Sequence, residues 1–318
     1  MNNPFTQVQQ VNFLDIGCSG PLDPKWSDLA QLLAYTGFEP NASECKRLSR
    51  EPHPYKSTRY LPFAISGEQG DRVMYKTHHP FCYSLLRPNH DWLGRFSHHY
   101  QFRETGTDTV SCMTLNSLAN EQQLTADIIK LDTQGLELPI LKAGNQVLQN
   151  AFCVETETGF VENYIGETTY TQLEAFMRSQ GFLMFDMEIY QASRNNSLSK
   201  HGKHQPLWCE VVWLFDFVGT KKKTTPEQAI KYLKICQALE YFDYGLELAY
   251  YFKSLGIIEA STVKYLEKPE HWTNIERSDS WKKHKSLSKT GKVLSFLPNS
   301  INQRLTYGLK EVVEWGKK

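Results

Sequence analysis

An acid and two glycines, Asp15, Gly17 and Gly20, follow one another closely after an apolar run that begins at Val11. Apolar residues followed at once by glycines are typical of a buried strand that runs into a tight turn. An Asp-Pro pair at 23–24 then indicates the start of a helix, with the acid as cap. Strand, glycine turn and helix form the layout in which the backbone lets a nucleotide-like ligand approach closely.

The charge at this turn indicates which ligand it suits. A dinucleotide site has the pattern G-x-G-x-x-G around a pyrophosphate, whereas here one glycine is missing and Asp15 stands at the strand end. An acid is unfavourable beside a pyrophosphate and favourable beside a cation. S-adenosylmethionine carries a sulfonium and an amino group, so the pattern D-x-G-x-x-G suits it better. A turn that binds no ligand is the alternative at this point.

Two further segments complete the predicted cofactor site. Glu39 lies 19 residues after Gly20 and one helix later, where a nucleotide fold places the acid that binds both ribose hydroxyls. The segment 58–66 has the pattern of a strand, and it ends where a base could lie against Ala64 and Ile65.

The candidate catalytic residues lie in a second strand and turn, within residues 127–150. A buried strand ends at Asp132, and Lys130 shares its face because side chains alternate along a strand. Ligands of open α/β sheets bind at the carboxyl ends of the strands, so we expect both residues at the rim of the site. Asp132 is the first candidate for a general base, with Glu155 and Glu157 at the end of the next strand as reserves. The alternative for Asp132 is an acid that caps its turn.

Alternating strand and helix patterns predict a doubly wound α/β domain over residues 8–219. A Lys-rich linker follows, and residues 220–318 are predicted to form a basic, mainly helical extension. Residues 226–268 have the pattern of two or three helices, and residues 299–315 that of a last amphipathic helix.

Composition limits the classes of function. The chain has 318 residues, with 35 Lys and Arg against 35 Asp and Glu, so its net charge does not demand nucleic acid. Residues 221–318 carry 18 basic and 11 acidic residues, and this basic segment is expected to contact an anionic acceptor or surface unless it is simply a solvated face. Seven cysteines without C-x-x-C spacing indicate reduced thiols. No signal or membrane-spanning segment is recognisable, so a cytoplasmic protein is expected.

No metal site is predicted. The two histidine pairs, at 78–79 and 98–99, are the candidates. Adjacent histidines on an extended chain point to opposite faces, so neither pair is a natural chelate.

Five segments together resemble a known family. They are NFLDIGCSGP, GFEPNASECKRL, LPFAISGEQG, TLNSL and DIIKLDTQGLELPILKAG, in the family's order over residues 11–187. They resemble the FkbM-type S-adenosylmethionine-dependent methyltransferases. The resemblance implies a class I, Rossmann-like fold whose seven-stranded sheet has an antiparallel last strand. It also implies O-methylation of sugars, glycans or natural-product hydroxyls.

The predicted cofactor site also includes Cys18 and Pro40, the residues that follow Gly17 and Glu39. The resemblance adds Ser84, which falls where the family often has a serine-rich loop. The sequence departs from the family at Gln134, where Glu is common, and in the residues 18–21. Residues 220–318 resemble no family that we can name.

The sequence therefore predicts an S-adenosylmethionine-dependent O-methyltransferase of a hydroxyl on a sugar, glycan or related small molecule. Two alternatives stay open. One is a non-catalytic module of the same fold that binds a partner or an anionic glycan. The other is an NAD-dependent oxidoreductase, which the missing glycine disfavours.

Overall fold

The computed structural model describes residues 3–18 and 22–272. The strands in this part of the chain are β1 Val11–Ile16, β2 Leu33–Phe38, β3 Ser57–Leu61, β4 Ala64–Ile65, β5 Gly70–Thr77, β6 Glu104–Met113, β7 Ile128–Leu131, β8 Cys153–Gly159, β9 Phe182–Ala192 and β10 Gln205–Phe215. The α-helices are α1 Ala42–Leu48, α2 His90–Leu93, α3 Leu115–Gln122, α4 Glu137–Ala143, α5 Asn145–Leu148, α6 Tyr170–Ser179, α7 Phe217–Thr220, α8 Pro226–Ala238, α9 Phe242–Ser254 and α10 Ala260–Leu266. Short 3₁₀ helices span Pro4–Gln7, Pro24–Leu32, Pro80–Cys82, His99–Phe102 and Pro269–His271.

Seven strands form the central sheet, in the order β3-β2-β1-β7-β8-β10-β9. The pairs β2–β3, β1–β7 and β7–β8 are parallel, whereas β10 runs antiparallel to both β8 and β9. The winding of the chain reverses between β1 and β7, and this reversal opens the crevice where α/β sheets bind ligands. The predicted seven-stranded sheet with an antiparallel last strand is confirmed.

The central strands are apolar because both faces of the sheet are covered. Phe13, Leu14 and Ile16 of β1 are buried, and so are Ile128, Ile129 and Leu131 of β7. The exceptions to this pattern are therefore informative: Asp15 and Lys130 are charged and buried in the same two strands.

A smaller sheet of order β4-β6-β5 stands apart from the central one. The segment 58–66, predicted as one strand, is split: β3 belongs to the central sheet and β4 to the small one. Pro62 lies between them and has no backbone N–H to donate to a ladder, so the pairing of β3 with β2 ends at Leu61. This correction places Ala64 and Ile65 on the small sheet.

The chain divides into two compact units. Of the described residues, one unit contains 12–18 and 34–216, with nearly all of both sheets, and the other contains 3–11, 22–33 and 217–272. In the helical unit, the two or three helices predicted within 226–268 are three in number, α8, α9 and α10. A capping box begins α8, in which Thr225 and Gln228 bond reciprocally. The domain bounds 8–219 and 220–318 stay predictions, and the helix expected over residues 299–315 lies outside the described residues.

No helix in the described part of the chain is both long enough and apolar enough to cross a membrane.

Candidate active site

A cavity of about 440 Å³ lies at the carboxyl ends of β1, β2 and β7, beside the small sheet. Seven of the predicted site residues line it: Gly17, Glu39, Pro40, Ala64, Ile65, Ser84 and Asp132. Gly20 lies outside the described residues. The remaining four, Asp15, Cys18, Lys130 and Glu155, are buried and do not line the cavity.

Gly17 brings the ends of the strands together. Its φ is +84°, and a Cβ built on it would lie 2.1 Å from the carbonyl oxygen of Asp132. The N–H of Gly17 donates to the carbonyl of Phe38 at 3.3 Å, and that of Asp132 donates to the carbonyl of Ile16 at 2.9 Å. A neighbouring strand end therefore requires glycine here, which the sequence does not reveal. Gly17 also lines the cavity, and its predicted contact with the cofactor stays a prediction.

Asp15 and Lys130 lie next to each other within the sheet rather than in the cavity wall. Asp15 of β1 is paired in register with Lys130 of β7, and Lys130 is paired in turn with Glu155 of β8. The Tyr35 hydroxyl donates to Asp15 Oδ2 at 2.8 Å, and Lys130 Nζ lies 3.5 Å from Asp15 Oδ1. Because a buried charge needs a partner, we revise the role of Asp15 from cofactor contact to partner of Lys130.

The same pairing revises the roles of Lys130 and Glu155. Lys130 Nζ lies 3.8 Å from Asp132 Oδ2, so Lys130 can balance the charge of Asp132 without reaching the cavity. Glu155 is buried and lies in register with Lys130, two residues before Glu157 in β8. Because Glu155 does not line the cavity, it is a poor candidate for a base.

Cys18 points into the protein. Its Sγ atom lies so close to Gly37 that a Cβ there would be 2.6 Å away. Burial, and then the charge of Asp15, raise the pKa of the thiol. The cofactor contact predicted for Cys18 is therefore not made by its side chain, which packs behind the turn.

Glu39 is the acid at the end of β2, and it lines the cavity. Its Oε1 accepts a hydrogen bond from the Asn41 N–H at 2.8 Å, which orients the carboxyl at the start of α1. Burial raises the pKa of Glu39 to about 7. The position agrees with the predicted contact to ribose hydroxyls, which stays a prediction.

We expect Glu39→Ala to weaken binding of S-adenosylmethionine and S-adenosylhomocysteine equally, by about 1.5–3 kcal/mol, the usual size for hydrogen bonds to a charged group. Since the ionised carboxyl is the better acceptor, wild-type affinity should fall as the pH falls from 8 to 6, through the raised pKa. Calorimetric titrations at both pH values measure this. Glu39→Gln should lose the pH dependence, and a loss for one ligand alone would exclude the ribose role.

Two buried carboxylates shape the loops that follow β7 and β8. Glu137 accepts hydrogen bonds from the Thr133 N–H at 3.0 Å and the Gly135 N–H at 3.2 Å. Glu167 accepts from the backbone N–H groups of Gly159, Asn163 and Tyr164. Burial raises the pKa of Glu137 to about 7 and that of Glu167 to about 8.

The stability of the protein should therefore fall between pH 6.5 and 8.5. Unfolded glutamates are already ionised in this range, whereas folded Glu137, Glu167 and Glu39 still release protons, so the folded state binds more protons and loses stability as the pH rises. We expect a decrease in the free energy of unfolding of about 3–4 kcal/mol. Urea unfolding at the two pH values measures it, and an increase with pH would contradict the raised pKa values.

Gln134 is the site residue whose role the sequence does not reveal. Its Nε2 donates to Asp132 Oδ1 at 2.9 Å and to Glu157 Oε1 at 2.8 Å, and its Oε1 accepts from the Tyr164 hydroxyl at 2.8 Å. Glu157 and Tyr164 lie 23 and 30 residues away in the chain. No local pattern links them, and the departure from the family at position 134 is the one signal that marks the site.

The described cavity wall contains Glu39, Glu44 and Asp132 and no lysine, arginine or histidine. It also has an apolar part, formed by Ala64, Ile65 and their neighbours on the small sheet. Among the residues that the structure describes, no three His, Cys, Asp or Glu side chains come together to hold a metal ion.

S-adenosylmethionine fits these residues. The acids suit its positive charges, Glu39 stands where a ribose acid is expected, and Ala64 and Ile65 offer an apolar surface to the base. A mostly parallel seven-stranded sheet with an antiparallel last strand, and this acidic cavity at its switch point, define a class I S-adenosylmethionine-dependent methyltransferase.

The profile of the FkbM methyltransferase domain matches residues 26–184, half of the chain. The protein therefore belongs to the FkbM methyltransferase family, and its cofactor is S-adenosylmethionine. No curated protein matches the sequence.

Several solved structures are similar to the chain. Sp1610 of Streptococcus pneumoniae, a proposed tRNA (m1A22) methyltransferase, is 11% identical, and the match covers 85% of this chain and 94% of that one with a TM-score of 0.33. An S-adenosylmethionine-dependent methyltransferase of Methanosarcina mazei is 10% identical, over 65% and 93%, with a TM-score of 0.33. The plantazolicin methyltransferase BpumL, in complex with S-adenosylhomocysteine, is 11% identical, over 67% and 86%, with a TM-score of 0.31. These low scores carry no weight for the acceptor or the mechanism.

Proposed function

We propose that the protein methylates a hydroxyl group of an uncharged sugar, glycan or related small molecule. The observation that supports this most directly is the position of the Asp132 carboxylate in the cavity wall, with Gln134 on one oxygen and Lys130 near the other. An acid held in this way is suited to remove the proton of an alcohol.

Asp132 has one oxygen available for that proton. Oδ1 accepts a hydrogen bond from Gln134. Oδ2 accepts none from the described residues, and Lys130 Nζ lies 3.8 Å from it. An alcohol is a weak nucleophile unless a base removes its proton as the new bond forms. Asp132 Oδ2 is therefore the proposed acceptor of the proton, and Lys130 balances the charge of the carboxylate beforehand.

When bound, S-adenosylmethionine supplies an activated methyl group on a sulfonium. The protein itself supplies the alignment of the hydroxyl and the base, which converts a bimolecular step into an effectively unimolecular one. Glu39 holds the ribose in this proposal, and Ala64, Ile65 and Pro40 contact the adenosine part.

The charge of the wall favours an uncharged acceptor. A phosphate or carboxylate group would meet Asp132 and Glu39, with no cationic side chain of the described wall to receive it. A hydroxyl group can instead donate to a carboxylate. An anionic acceptor bound through the basic residues 221–318, as the sequence suggests, would have to place its charge away from this cavity.

Transfer of labelled methyl groups tests the proposal. Purified protein is incubated with methyl-labelled S-adenosylmethionine and a panel of neutral oligosaccharides, together with their phosphorylated and carboxylated counterparts. We expect label on a neutral acceptor in a product that resists mild base, as an ether does and a methyl ester does not. Label only on anionic acceptors, or only in a base-labile product, would contradict the proposal.

Binding and absorbance measurements beside the label-transfer assay separate the two alternatives. A non-catalytic module would bind S-adenosylhomocysteine in a calorimeter and transfer no label to any acceptor. An oxidoreductase would bind NAD and would change the absorbance of nicotinamide in the presence of its substrate.

A further inference from the structure

The side chain of Gln134 joins two acids that would otherwise repel each other. One amide nitrogen donates to both Asp132 and Glu157, and the amide oxygen accepts from the Tyr164 hydroxyl. The Tyr164 hydroxyl also lies 3.1 Å from the Cys82 carbonyl. A carboxylate can only accept hydrogen bonds, so the two acids determine which end of the amide faces them. The orientation of Gln134 therefore follows from its neighbours.

The backbone of Gln134 is held in an unfavourable conformation. Its φ is +57°, in the left-handed region that a residue with a Cβ rarely occupies, and Gly135 follows with a φ of +108°. The Ser84 hydroxyl donates to the Gln134 carbonyl at 2.8 Å, and Glu137 accepts the Gly135 N–H. Such strain persists where surrounding contacts determine it, often at functional sites.

Negative charge accumulates around the side chain of Gln134. Glu157 is paired across the sheet with Glu210 of β10, and Asp132 shares its amide donor. Burial, then Asp132 and Glu210, raise the pKa of Glu157 well above its ordinary value, and Glu137 adds to this. Glu157 therefore holds a proton more readily than an exposed glutamate does.

We propose that Gln134 is the positioning residue of the site, tying Asp132 to Glu157 so that Asp132 Oδ2 is left for the acceptor hydroxyl. We call the hydrogen bonds from Gln134 to Asp132 and Glu157 the clamp. That Asp132 is thereby held for catalysis rests on the proposed function, whereas the clamp itself does not. A glutamate at position 134 would replace the shared amide donor by a carboxylate at neutral pH, so both donated hydrogen bonds would be lost, and it would add a negative charge to the cluster. When protonated at low pH, the same glutamate could donate one of them again.

Thermal unfolding of Gln134→Glu at two pH values tests the clamp without an acceptor. The matched control is Gln146→Glu, which makes the same charge change on an exposed residue of α5. Relative to that control, we expect the midpoint of Gln134→Glu to be lower by about 4–8 °C at pH 8.5, since two hydrogen bonds to acids are lost. At pH 5.5 the deficit should shrink to about half, because one donor is regained.

A second substitution controls for general damage to the fold. In Gln134→Glu combined with Glu157→Gln, the amide is moved to the other partner and the total charge of the cluster is unchanged. This double variant should recover most of the loss at pH 8.5. A deficit that is equal at both pH values, the absence of a deficit, or a double variant no better than the single one would each overturn the clamp. If only the double variant folds, the clamp is supported.

Failure of the clamp can be distinguished from failure of the proposed function. Binding of S-adenosylhomocysteine by the wild-type protein and transfer of label test that function, and neither depends on position 134 being substituted. With an acceptor in hand, Gln134→Glu should lower kcat at unchanged KM, and its deficit in rate should shrink toward low pH. A deficit in kcat that does not change with pH would argue against positioning through charge.

Discussion

Asp132→Asn is expected to lower methyl transfer by about 10²–10⁴-fold, the range that a positioned proton transfer contributes. Asparagine keeps the size of the side chain, and its carbonyl oxygen can still accept the hydrogen bond from Gln134. It cannot take up a proton at neutral pH. Affinity for S-adenosylhomocysteine should stay near that of the wild type, because the loss concerns the base rather than a cofactor contact.

Steady-state rates with the labelled cofactor, together with calorimetry, measure both quantities. Asp71→Asn is the matched control, since Asp71 is an exposed acid on β5 and does not line the cavity. A variant that no longer binds the cofactor would make Asp132 a ligand, with Glu157 as the remaining candidate for the base. If turnover is intact, Asp132 only caps its turn, and the proposed mechanism is wrong.

Gly17→Ala is expected to destabilise the protein by more than about 3 kcal/mol, as strain at a positive φ and a steric clash combine. The new Cβ would stand 2.1 Å from the Asp132 carbonyl oxygen, which is backbone and cannot rotate away. Either β1 and β7 separate at their ends or the turn changes its conformation. Both displace Asp132 from the cavity wall, so cofactor binding and folding should fail together.

Urea unfolding compared with Gly106→Ala measures this effect. Gly106 lies in β6, its φ is not in the left-handed region, and a Cβ there would meet nothing within 4 Å. That control should be within about 0.5 kcal/mol of the wild type, as exposed substitutions usually are. A Gly17→Ala protein that is as stable as the control and fails only to bind the cofactor would restore the interpretation of Gly17 as a ligand contact.

The sequence determined the parts of this protein that depend on neighbours in the chain. The strand, turn and helix patterns around Asp15 and Asp132, the place of Glu39 after one helix, and the antiparallel end of the sheet expected from the family resemblance could all be predicted. Apolar periodicity and turn residues act over a few positions. The carboxyl ends of parallel strands meet at one edge, so the residues placed there were predicted to line the site, and Gly17, Glu39, Pro40 and Asp132 do.

The tertiary structure decided which of these residues face the ligand and which face each other. Lys130 and Asp132 lie close to each other, as their spacing on one strand predicts. Only the register of β1 on β7 makes Asp15 and Lys130 partners within the sheet. The period of a strand gives the face of a side chain and not its neighbour across the sheet. For this reason the cofactor role of Asp15 could not be separated from a role in the interior.

The clamp around Gln134 shows the same limit most clearly. Its partners come from the end of β8 and from the loop near Tyr164, and the chain must fold before they are close. The clash that requires Gly17 likewise involves a carbonyl more than a hundred residues away in the sequence. Local propensity cannot encode such contacts, because their energy depends on the distance between atoms that only the packed sheet brings together.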